Sequence, residues 1–249
     1  MRSLAFLALP CVPAALWACS ADTFTAAPDG AAPDGSAADA SADVSVDSPL
    51  TDKCTHTLCD DFERVLLPNV HLPWTGVDKT DGGQVAIVTE QKFAGTRSGK
   101  FTLSLSSDRA SLYRNFLTTQ TSLHLDMQLR IGSFGGATRD VPMVRIMCDG
   151  GSSVVLRGRA EEMSLAIEGS GGGSTLVMTL PPVNTWIHVV IDVNATSHVV
   201  TYTFGQNSGQ LTLPGGVTKV QNIGVGAQGN TENLANFTSY VDEVYVDVN

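Results

Sequence analysis

Aromatic residues make up only 6% of this chain and charged residues 16%. Rings presented to solvent are a common platform for sugars, so the first scarcity leaves little material for a dedicated carbohydrate module. No stretch keeps a helical apolar period over three turns, which excludes a helix bundle. The one long apolar run, Leu4 to Leu16, is broken by Pro10 and Pro13 and falls short of the ~20 residues of a spanning helix.

Positive charge is thin as well. The formal net charge is −10, yet residues 20–52 hold seven aspartates and no lysine or arginine. The remaining body, from residue 53, carries 14 basic against 18 acidic side chains, a net of −4. The acidity belongs mostly to one segment. Nothing makes the basic stripe that nucleic acid requires, so nucleic acid is excluded as a partner.

What is present begins with a leader. Arg2 is the one charge ahead of the apolar run, and the run closes on Leu16-Trp17-Ala18-Cys19. This pattern reads as an n-region, an h-region and a cleavage point. Leu16, Ala18 and Cys19 resemble the lipobox of bacterial lipoproteins, with Trp17 a less usual filler. The resemblance implies removal of residues 1–18 and lipidation of Cys19. Acyl chains contribute roughly 0.8 kcal/mol per buried methylene, so two or more hold a protein firmly to a membrane. Ser20, rather than an aspartate, implies the outer membrane. The alternative is an ordinary secretory signal with Cys19 incidental.

Residues 19–52 follow as a linker of Ala, Asp, Ser, Pro, Gly and Thr, with a short duplication, Ala27-Pro-Asp-Gly30 and Ala32-Pro-Asp-Gly35. Such a segment buries too little to offset its ordering entropy, and it is expected to be a disordered tether. Its reach as a flexible coil is roughly 30 Å.

Residues 53–249 are long enough for one domain of uniform texture. Short alternating runs recur: Val85–Val88, Phe101–Leu105, Leu123–Ile131, Val141–Cys148, Met163–Ile167, Leu176–Leu180, Trp186–Val193 and Val199–Phe204. Turn-forming clusters such as Asp81-Gly-Gly83, Asp149-Gly-Gly151 and Pro214-Gly-Gly216 separate them. The pattern predicts an all-β, two-sheet antiparallel sandwich.

Four segments resemble the concanavalin A-like and laminin G-like jelly rolls. They are Cys59-Asp60-Asp61-Phe62-Glu63, Ser98-Gly99-Lys-Phe101, Trp186-Ile-His188-Val189, and the closing Tyr240-Val241-Asp242-Glu243-Val244. The likeness spans about residues 58 to 248 and implies a jelly roll whose last strand pairs beside the first. It implies no single activity, since this architecture hosts binding modules, hydrolases, lyases and adhesive domains.

The chemistry was therefore sought in residues. Hydrolases of this fold need a Glu-x-Asp-x-x-Glu-like string, because two carboxylates on one strand face act as nucleophile and acid/base. No such string occurs. Asp61 and Glu63, spaced i, i+2, lie in the opening strand, and Glu161, Glu162 and Glu168 read as a solvated turn and strand end. Alginate-lyase relatives need a Tyr or His base with Arg and Gln, on an Arg-Ser-Glu-Leu-Arg-like strand; Arg97-Ser98-Gly99-Lys100 lacks its glutamate and second arginine. The histidines His56, His71, His124, His188 and His198 do not cluster at metal-ligand spacing. His188, sharing a face with Trp186 and Asp192, reads as satisfied by a neighbouring strand.

The resemblance also implies a structural Ca²⁺ where first and last strands meet, held by Glu63 and Asp242 with Asp60 or Asp61. The alternative is that these acids bond backbone amides or arginines at the sheet edge. Candidate sugar contacts are Trp74, Tyr113 and Tyr202, with Arg114 and Asn115 as polar neighbours. With Cys11 removed and Cys19 acylated, three thiols permit one disulfide in an oxidising compartment. Cys54–Cys59 is expected, Cys59–Cys148 second, with Cys148 buried. The expectation is thus an outer-membrane lipoprotein with a jelly roll that binds polysaccharide or envelope glycan and catalyses nothing. A structural or adhesive module recognising protein comes next, and a divergent hydrolase or lyase third.

Overall fold

Leu123, Leu125, Met127, Leu129 and Ile131 are buried, while His124, Asp126, Gln128 and Arg130 between them are not. This alternation places every second side chain of a strand in one core, and it recurs across the chain. The computed structural model describes residues 54–64, 72–105, 107–135, 140–159, 162–169, 175–179, 182–229 and 236–249. The leader, Cys19, the linker, His71 and Glu161 lie outside them.

The first strands are β1 (Leu58–Asp60), β2 (Gly76–Lys79), β3 (Gly83–Val88), β4 (Ser98–Leu103), β5 (Arg109–Gln120), β6 (Ser122–Ser133), β7 (Val141–Cys148) and β8 (Ser153–Arg159). Then come β9 (Glu162–Glu168), β10 (Thr175–Thr179), β11 (Trp186–Asn194), β12 (Val199–Phe204), β13 (Asn207–Thr212), β14 (Val220–Gln228) and β15 (Phe237–Val248). The alternating runs found in the sequence fall on strands, with Ser104 and Leu105 past the end of β4 and Leu180 outside the described residues. Strands β2, β5, β8, β13 and β14 were not among those runs; in β14, Gly224 and Gly226 interrupt the pattern.

All pairings are antiparallel. One sheet runs β13-β12-β11-β6-β15-β4-β3, with β1 also beside β15; the other runs β10-β9-β8-β7-β14-β5-β2. As the resemblance implied, the closing strand pairs with the opening one, Cys59 opposite Tyr245. The inner faces meet in a single cluster that includes Phe101, Leu112, Leu129, Ile146, Ile191 and Phe237. A fully buried Leu or Phe contributes about 1.5–3 kcal/mol by leaving water.

The opening segment is fixed by two devices. Cys54 and Cys59 are disulfide-bonded, as expected. Asp60, buried, accepts from the Phe62 amide at 2.9 Å and from the indole Nε1 of Trp74 at 2.6 Å. Cys148 is buried and free.

Candidate active site on the open face of the seven-stranded sheet

On β5, Ala110 and Leu112 face the core, so Ser111, Tyr113, Asn115 and Leu117 face outward. On β14, Ile223, Val225 and Ala227 are buried, which turns Asn222, Gly224 and Gln228 outward. On β7, Val144 and Ile146 are in the core and Arg145 faces out between them. These outward residues line a groove of about 410 Å³ that crosses β2, β5, β14 and β7.

Register decides which of them meet. Gly76 lies opposite Tyr113, Tyr113 opposite Gly224, and Gly224 opposite Arg145. The phenol and the guanidinium therefore stand in one cross-strand row, two strand spacings or about 10 Å apart at the backbone. Gly224 between them leaves the floor bare: an added Cβ would meet nothing nearer than carbonyl oxygens at 3.8 and 3.9 Å. Gly76 seats the ring of Tyr113, whose hydroxyl lies 2.7 Å from where a Cβ of residue 76 would be. One row along, Asn115 lies opposite Asn222 and adds two amides to the same wall.

Arg145 is held from one side. Its Nη1 donates to Glu168 Oε2 at 2.9 Å and to Ser153 Oγ at 3.3 Å. Among the described residues its Nε has no partner. Glu168 is also paired with Arg157, which lies 3.8 Å from Asp140. Burial pushes the Arg145 guanidinium below its usual value, and it does the same to Arg157, with Asp140 opposing and Arg145 adding to the shift. A guanidinium keeps its charge under such shifts. The result is a braced cation at the end of an uncovered slot.

The sequence-predicted residues divide. Tyr113 and Asn115 come together in the groove. Trp74 does not: it is 1% exposed and its indole is committed to Asp60, so it cannot present a face to a sugar. Tyr202 is likewise buried in the core, stacked on Phe204 with ring centroids 5.2 Å apart. Arg114 falls on the opposite side of β5 from Tyr113, and its Nη1 donates to the Pro73 carbonyl at 2.8 Å. Glu162 and Glu168 are ion-paired on the sheet rather than merely solvated.

The acids proposed for calcium are occupied by donors. Glu63 accepts from the amides of Thr96 and Arg97, and Asp61 from the amide of Glu63. Asp242 is fully buried at a bulge in β15 and accepts from the amides of Phe93, Ala94 and Glu243 at 2.9, 3.1 and 2.9 Å. Burial pushes its carboxyl up to about 6 in spite of those bonds. Among the described residues no group of three or more His, Cys, Asp or Glu side chains gathers to hold a metal ion. These carboxylates are engaged by backbone amides, Asp242 on β15 between β6 and β4 and not at a sheet edge, and the arrangement does not fit a calcium cage. His188 is bonded to Asp126 at 2.7 Å on the other sheet, as its strand position suggested.

Sequence reasoning missed Arg145, Arg157, Asn222 and the role of Glu168. Arg145 interrupts an apolar run and reads as its solvent side, and only the pairing of β7 with β14 brings it to Tyr113.

No family model matches the chain, and no curated protein is similar to it in sequence. Solved structures are similar in fold. The cellulose-induced protein Cip1 superposes with a TM-score of 0.60 at 14% identity, over 76% of this chain and 96% of that one. The endo-β-1,4-glucuronan lyase of the fungus Trichoderma reesei gives 0.60 at 14% identity, over 78% and 96%. A variant of the alginate lyase A1-II′ gives 0.51 at 11% identity, over 65% and 84%. The fold is a concanavalin A-like jelly roll.

These neighbours overturn the expectation of a module that catalyses nothing. Two of the three are polysaccharide lyases, and the fold they share with this chain carries enzymes. The missing carboxylate string excludes one hydrolytic constellation only. The open face holds a phenol and a guanidinium in one cross-strand row.

Proposed function

We propose that the domain is a polysaccharide lyase that cleaves uronate-containing chains by β-elimination in the groove of the seven-stranded sheet. The observation that carries this reading is that Tyr113 and Arg145 share one outward cross-strand row with the bare Gly224 between them, the phenol resting over Gly76 on the β2 side. A uronate ring laid over Gly224 directs its carboxylate to Arg145, with Asn222 and Asn115 as further donors. Neutralising that carboxylate stabilises the negative charge that develops when the C5 proton leaves. The Tyr113 oxygen takes that proton once the ring turns from its seat over Gly76 toward the slot. The electron pair forms the C4–C5 double bond and expels the glycosidic oxygen at C4, which receives a proton from the Tyr113 hydroxyl. Positioning and charge neutralisation do the rest. The leader and Cys19 support a location at the outer membrane, tethered by lipid. Mass spectrometry of the mature chain tests that part through an acylated N-terminal Cys19.

Incubation of the full chain with glucuronan and with alginate, followed by ultraviolet absorbance of the unsaturated product, tests the activity. Tyr113→Phe is expected to lower the rate by about 100-fold or more, the usual scale of a lost proton-transfer group, with an unchanged β circular dichroism spectrum. Absence of double-bond product from either polyuronate, or full activity in Tyr113→Phe, overturns the reading.

A further inference from the structure

The groove does not end at Asn115 and Asn222. Both residues also line a second hollow of about 400 Å³, adjoining the first and bounded by Leu117, Lys219 and Gln221. The register shifts between Val220 and Asn222: β14 carries an extra residue against β7, while Phe116, Leu117, Thr118 and Thr119 of β5 all fall between the partners of Val220 and Asn222. Val220 is in the core, whereas Gln221 is exposed and Asn222 half-exposed, so the extra residue turns consecutive amide side chains away from the core. Bulges commonly re-aim side chains in this way. Lys219, just before the bulge, joins the same wall, and Leu117, which lines the hollow from β5, is fully exposed.

The charges of the two hollows differ. Arg145 is already braced by Glu168. Lys219 forms no ion pair with a carboxylate among the described residues, while its backbone is clamped on both sides by Asp149: the Lys219 amide donates to Asp149 Oδ1 at 3.1 Å, and the Lys219 carbonyl accepts from the Asp149 amide at 3.1 Å. The structure thus holds a fixed backbone carrying an ammonium that makes no close ion pair among the described residues, its charge acting on the Asp149 carboxylate, beside a donor-rich amide wall and one apolar side chain.

We infer that this hollow is a second carboxylate-binding subsite, in which Lys219 takes the carboxylate of a neighbouring sugar residue and Gln221 and Asn222 take its hydroxyls. The substrate class is then a polyuronate with acid groups on successive residues, in preference to a chain with one uronate among neutral sugars. This inference rests on the lyase reading for the placement of the first sugar.

The test is calorimetric binding to the full chain carrying Tyr113→Phe, which holds substrate without turnover. The probes are the β-1,4-linked glucuronate hexasaccharide and cellohexaose, its counterpart with every carboxylate replaced by a hydroxymethyl group. Adding Lys219→Gln is expected to weaken hexaglucuronate about fivefold, the upper range of an exposed ion pair, and to flatten its salt dependence. The same change is expected to leave cellohexaose unaffected. Unchanged hexaglucuronate affinity in Lys219→Gln, with binding abolished by Arg145→Gln, overturns the second subsite and leaves the lyase site standing. Equal weakening of both probes overturns carboxylate recognition by Lys219. No binding of hexaglucuronate at all removes the lyase placement and this inference together.

Discussion

Tyr113 and Arg145 stand on opposite sides of Gly224 in one cross-strand row, the phenol on β5 and the guanidinium on β7. Nothing of the described residues fills the space above that glycine. Gly224→Val therefore folds without a clash, and its melting temperature is expected to stay close to wild type. The same side chain fills the slot, so turnover of polyuronate is expected to collapse. Gly226 two residues on is the control. It has φ +145° and an added Cβ would lie 2.3 Å from the Ala110 carbonyl oxygen, so Gly226→Val is expected to destabilise by about 1–3 kcal/mol or more. Thermal melts beside activity assays separate the two; a Gly224→Val enzyme with full activity removes the slot.

Trp74 belongs to the stability of the domain. Replacing it with Phe keeps most of the buried ring but takes the indole donor from Asp60, a loss of about 1–3 kcal/mol for a buried acceptor. Urea unfolding is the measurement. Unchanged stability together with weakened glycan binding in Trp74→Phe would return this residue to the binding surface.

Asp149 makes stability depend on acid. Burial opposes its ionisation, but the Thr218 hydroxyl and the amides of Thr218 and Lys219, with the Lys219 charge, hold the carboxyl below its ordinary 3.8. The folded state then binds fewer protons than the unfolded one. Its contribution is present above the ordinary value and is lost as pH falls through the lowered one. Asp149→Asn is expected to melt earlier at neutral pH and to converge on wild type as acid protonates the native carboxylate. Parallel melting curves across the whole acid range would contradict this.

Cys148 is expected to be inert in the native protein. Burial, with a smaller effect from the Asp149 charge, pushes its thiol up to about 11, and the thiolate is the reactive form. A thiol reagent at neutral pH should label it only after denaturation. Rapid labelling of the folded chain would place the residue at the surface.

Much of this molecule is local in origin. The alternation of Leu123 to Ile131 or of Ile187 to Val193 determines which side chains enter the core, because neighbouring residues of a strand point to opposite faces. The short spacing of Cys54 and Cys59 favoured their pairing over Cys59–Cys148, and the resemblance of the closing Tyr240 to Val244 segment to jelly rolls implied that the ends of the domain meet. What stood on the outward faces was visible as residue type only. Trp74 and Tyr202 were aromatic in sequence and proved to be core, because exposure depends on which layer covers them. Tyr113, Gly224 and Arg145 lie on three strands distant in sequence, and their alignment depends on the register of β14 between β5 and β7. A slip of one residue would turn each outward side chain inward. Composition and periodicity determined a two-sheet β body; only long-range strand pairing decided which polar side chains of that body share a groove.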